Sequence, residues 1–114
     1  MLQRYSEIQQ ESSADARDRE RAFFEQCIEL LEAAQAKGPR SMEAVKAVHF
    51  TNKLWSALLQ DLVNPENALD DELRAGLISI GIWILRECEH IRQEESDNIS
   101  GLLEIVRTIR EAYK

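Results

Sequence analysis

"LISIGIWIL", Leu77–Leu85, lies in a charge-free run from Ala75 to Leu85, in a chain of 114 residues of which 31% are charged. Placed on a wheel at about 100° per residue, the surrounding helix carries two apolar stripes. Leu73, Leu77, Ile80, Ile84, Cys88 and Ile91 share one face, and Ala75, Ile78, Ile82 and Leu85 share a second, roughly opposite one. A surface helix has one such stripe. This helix is therefore either central in a bundle, with the first helix of the chain covering its second face, or it keeps that face for another protein. Exposed, Ile78, Ile82 and Leu85 would each forgo about 1.5–3 kcal/mol of burial. Such a patch favours a client's amphipathic helix or a second copy of the chain, a homodimer. Trp83 falls between the stripes near Ser79 and His90, where a tryptophan serves as core edge or as binding anchor.

Working outward, "NPENALDD", Asn64–Asp71, is a turn: Pro65 biases Asn64 away from helix, and Asp70 is placed to cap the helix that follows. That helix, the third, is expected from Asp71 to about Glu95. Ahead of the turn, Ser41 can cap a second helix whose stripe runs Val45, Val48, Asn52, Trp55, Leu59 and Leu62, a seam for another helix. Asn52 interrupts the seam, so it requires a hydrogen-bond partner or marks where the seam opens. The first helix is expected from about Ser13 to Lys37, with Phe23, Cys27, Leu30 and Ala34 on a stripe widened by Phe24, Ile28 and Leu31; Gly38 and Pro39 end it. A fourth begins near Ser96 or Asp97 and carries Ile99, Leu102, Val106, Ile109 and Tyr113. Residues 1–12 are polar, with Leu2, Tyr5 and Ile8 spaced by three, and read as a flexible tail, either a frayed helix or a segment that orders on a partner. The expected fold is all-α: a single domain over residues 1–114, a compact bundle of about four helices with a polar N-terminal tail.

Composition narrows the function. A net charge of −7 opposes nucleic acid, and the densest basic group, Arg17, Arg19 and Arg21, is interleaved with Asp15, Asp18 and Glu20. Direct RNA binding is disfavoured. The charge-free run is too short to span a membrane and the N-terminus lacks a signal-peptide core, so a cytoplasmic protein is expected. Cys27 and Cys88 read as thiols acting as small buried hydrophobes. His49 and His90 are the only histidines; Cys88 and His90 point about 160° apart on a helix, which disfavours a metal site. No phosphate loop, nucleophile elbow or zinc spacing is present in the sequence. No catalytic residue, metal or cofactor is assigned, and a non-enzymatic protein is expected.

From "FTNKLWSALLQDLVNPENALDDELRAGLISIGIWILRECEHI" onward the chain closely resembles the FlaF family, flagellar biosynthesis regulators of alphaproteobacteria. Asn52, Leu54 and Trp55 carry the match, with Asp61 and Leu62, the turn containing Asn64, Pro65 and Asn67, and "ELRAGLISIGIWIL", which includes Leu73 and Arg74. The resemblance extends more weakly to "LLEIVRTIR". It implies a cytoplasmic factor needed for flagellin production and flagellum assembly, acting after transcription in opposition to the FlbT regulator and associating with flagellin before export as a chaperone-like partner. Contact with flagellin mRNA, or an adaptor role through FlbT without flagellin binding, are the alternatives. Ala75, Ile78, Ile82, Trp83 and Leu85, with Tyr5 from the tail, are the expected contact residues for the partner.

Overall fold

The computed structural model describes the backbone of residues 2–112 and the side chains of residues 17–112. It contains four α-helices: α1 (Leu2–Lys37), α2 (Met42–Leu62), α3 (Asp71–Arg92) and α4 (Ile99–Ala112). Their ends follow from local chemistry. Gly38 takes a left-handed φ of 107° and its amide returns to the Ala34 carbonyl at 2.8 Å, closing α1. Ser41 Oγ accepts from the Ala44 amide at 3.1 Å and Asp70 Oδ1 from the Leu73 amide at 3.0 Å, so both expected caps form. Glu94, with φ 62°, closes α3, and Asn98 Oδ1 accepts from the Gly101 amide at 3.1 Å at the start of α4. Residues 2–12, read from the sequence as a tail, are helical backbone within α1. No glycine or proline precedes Gly38 to stop the helix. The side chain of Tyr5, and Tyr113, lie outside the described residues.

Short connections fold each helix back on its predecessor. α1 packs against both α2 and α4, α2 lies between α1 and α3, and α3 touches α4 only lightly. Phe24, Cys27, Ile28, Leu31 and Ala34 of α1 form the core with Ala47, Leu54 and Trp55 of α2, Ile84, Cys88 and Ile91 of α3, and Leu102, Leu103, Val106 and Ile109 of α4. Trp55 meets Phe24 edge-on, with ring centroids 6.2 Å apart and planes at 83°. Thr51 is fully buried: its hydroxyl donates to the Ala47 carbonyl at 2.7 Å, which leaves the Cys27 thiol to donate to Thr51 Oγ1 at 3.2 Å. Every polar hydrogen of that pair is thereby used.

Two expected stripes are rotated. On α1, Phe23 is exposed and tilts against Phe50, while Phe24 takes the inward position. On α2, Val45 is 60% exposed, while Ala44, Ala47, Thr51 and Leu54 turn inward. Both shifts have one cause. α1 and α2 are each flanked by two helices, so the buried arc is wider than one seam and its centre takes small residues that let backbones approach. The covering of α3 by the first helix is not what forms: α1 spends its two packed sides on α2 and α4. Gly81 packs directly on Leu59 of α2: a Cβ there would lie 2.9 Å from Leu59 Cδ2, so the leucine side chain would have to shift. That close approach turns Gly81, Ile84 and Cys88 inward.

Candidate partner-binding surface

With its inner face fixed by Gly81, Ile84, Cys88 and Ile91, α3 presents the opposite arc to solvent. Ala75, Gly76, Ser79, Ile82 and Trp83 are all exposed, Ile82 by 42% and Trp83 by 41%. The expected contact residues therefore divide. Ala75, Ile82 and Trp83 lie on the open face, whereas Ile78 is half-buried and Leu85 is half-buried and packed on the core. The open arc is centred near Ser79, about 80° from the centre of the expected stripe. Gly76 and Ser79, which complete it, were missed because neither is apolar by type; their signal lies in the absence of charge between Ala75 and Leu85.

Light contact between α3 and α4 leaves a groove of about 440 Å³ along this face, lined by Ile80 and Trp83 on one wall and Gly101, Glu104, Ile105 and Thr108 on the other. Trp83 thus belongs to both the open arc and the groove. A second cleft, of about 410 Å³, lies at the end of the bundle near the α2–α3 turn and includes Phe24, Trp55, Leu58, Leu69, Leu77 and Ile109 in its lining. Trp55 Nε1 is buried there without an acceptor among the described residues. A third, of about 370 Å³, separates α2 from the C-terminal half of α3; Asn52 is half-buried at its edge. Asn52 marks where the seam opens, one of the two readings its position allowed.

The residues that carry the family resemblance mostly build the scaffold. Leu54, Trp55 and Leu62 are buried. Asn67 Nδ2 donates to the Asp61 carbonyl at 3.1 Å and, at 3.4 Å, to its carboxylate. Asn64 Oδ1 accepts from the Glu66 amide and Asn67 Oδ1 from the Leu69 amide, each at 3.0 Å. These bonds hold the turn around exposed Pro65 and deliver Asp70 to its cap. Arg74 bonds Asp71 at 3.1 Å, and Leu73 is exposed at the start of α3.

A family model described as flagellar protein FlaF matches residues 1–112. The chain belongs to the FlaF family. No curated protein and no solved structure matches it. The FlaF match takes in all four helices, including α1, which precedes the stretch that carries the sequence resemblance. In this FlaF chain the turn and the open α3 face are joined physically, since the turn sets where α3 begins and the packing of Gly81, Ile84, Cys88 and Ile91 on the bundle sets which side faces out. Among the described residues, no group of three or more His, Cys, Asp or Glu is arranged to hold a metal ion, and no helix is long and apolar enough to cross a membrane. Burial pushes the Cys27 thiol up to about 11 and, with Cys27 and Glu87 nearby, the Cys88 thiol up to about 12. Both therefore stay protonated at neutral pH and are poor nucleophiles.

Proposed function

We propose that this FlaF protein is a cytoplasmic, non-enzymatic partner of flagellin: a chaperone-like regulator needed for flagellin synthesis and flagellum assembly, acting post-transcriptionally in opposition to FlbT. One observation carries the reading. Ile82 and Trp83 stand exposed in the charge-free stretch Ala75–Leu85 of α3, beside a groove that α4 leaves open. An amphipathic helix laid along that face would bury Ile82, Trp83 and the groove wall together, and Trp83 has the size and rigidity of a binding anchor. Regulation then follows from occupancy, with no chemical step and no cofactor.

Calorimetric titration with full-length and terminally truncated flagellin, with flagellin leader RNA as control, tests this directly. Saturable binding to flagellin that disappears when a terminal helix is removed, and that Ile82→Glu or Trp83→Ala weakens at least tenfold, supports the reading. Binding to RNA alone overturns it. Co-purification with FlbT in the absence of any flagellin binding replaces it with an adaptor role.

A further inference from the structure

The open face of α3 has a property that a client helix does not require: it is complementary to itself. From Glu72 to Arg86 the residues exposed within about 60° of Ser79 are Glu72, Ala75, Gly76, Ser79, Ile82, Trp83 and Arg86, with exposed His90 one turn beyond. Paired outward from Ser79, they match in kind: Glu72 with Arg86, Ala75 with Trp83, and Gly76 with Ile82. We propose that two copies of this chain associate through α3, antiparallel, about a two-fold axis at Ser79. In that arrangement Ile82 and Trp83 of each copy lie over Ala75 and Gly76 of the other, large side chains against small ones. Glu72 of each copy meets Arg86 of the other at both ends of the contact. Among the described residues neither Glu72 nor Arg86 has an ion-pair partner within the chain, so both are free to pair across the contact. A parallel arrangement would put like charges together at each end, so the charges select the antiparallel one.

Gly76 supplies a second argument. A Cβ built on it meets nothing within 4 Å, so the fold of one chain does not require a glycine there, although glycine in a helix interior is unfavourable. A second α3 pressed against this point does require it. This self-association stands whether or not flagellin uses the same face.

Sedimentation equilibrium of the full chain, without flagellin, is the test. The 13.1 kDa monomer should give way to a species of twice that mass as concentration rises. Gly76→Gln should leave the helical circular dichroism, and the thermal midpoint of the dilute monomer, intact or raised while weakening the dimer at least tenfold. Glu72→Arg and Arg86→Glu should each weaken it, and the two together should restore it, because the swapped charges again meet as opposites. A monomer at every concentration overturns the proposal, as does a dimer indifferent to Gly76→Gln and to both charge reversals.

Discussion

α4 and α3 make opposite use of apolar sequence. α4 buries Ile99, Leu102, Leu103, Val106 and Ile109 within 14 residues, whereas α3 buries only Gly81, Ile84, Cys88 and Ile91 within 22. α4 lies on α1 and gives its whole stripe to the core. α3 reaches the bundle through α2, and the remainder of its apolar surface stays outside. Hydrophobic density in a sequence thus reports how much surface seeks cover; which surface receives it is settled by how many neighbours the helix has.

The sharpest way to break this contrast is to cut the inner face of α3. Ile84→Ala should cost about 2–5 kcal/mol in denaturant unfolding, because the residue is fully buried and its cavity cannot collapse freely. If Ile82→Ala costs as much, the two faces are not distinct. Alkaline titration sharpens the same point through the thiols. In the fold Cys27 and Cys88 are raised to about 11 and about 12, above the ordinary thiol value of about 8.5. Between those limits the folded chain holds protons that the unfolded chain releases, so stability is complete below the lower limit and falls as pH rises toward the upper ones. Cys88→Ala should flatten that decline in thermal melts between pH 8 and 11 (about the span of those limits), and neither thiol should react with a disulfide reagent at pH 7 before unfolding.

Removing the cap that starts α3 has a smaller effect. Asp70→Ala should lower stability by about 0.5–2 kcal/mol without touching either face. Smallest is Ile82→Glu, which should stay within about 0.5 kcal/mol of the parent in unfolding at concentrations where both are monomeric. A collapse of the fold in that variant would place Ile82 in the core and close the open face.

Much of this was legible in the residues. Gly38, Ser41 and Asp70 act as their chemistry dictates, because capping and left-handed closure are local. The stripe of α4 is also where periodicity put it, since a helix with one main neighbour has one buried arc. The inward turn of Thr51 and the outward turn of Val45 were not legible. Periodicity marks apolar side chains, but the centre of a helix packed on two sides favours small ones, and a threonine whose hydroxyl bonds its own helix qualifies. The same limit hid Gly76 and Ser79. A docking face made partly of small residues has little hydrophobic signal, and only the missing charge betrays it. That Trp83 is exposed followed from its position beside Ser79 and His90 on the wheel once α1 was found to pack elsewhere.

The placement of α1 between α2 and α4 also bears on how the chain is made. Arg107 bonds Glu32 across 75 residues and Arg110 bonds Glu25 across 85, at 2.7 and 3.0 Å. As half-exposed pairs they add little to stability, but they mark a contact that α4, made after the other three helices, completes. Until α4 emerges, one side of α1 has no partner, and a nascent chain that already displays α1, α2 and α3 is sticky on two surfaces at once. Without α4 both are uncovered; adding α4 covers one and leaves the α3 face available.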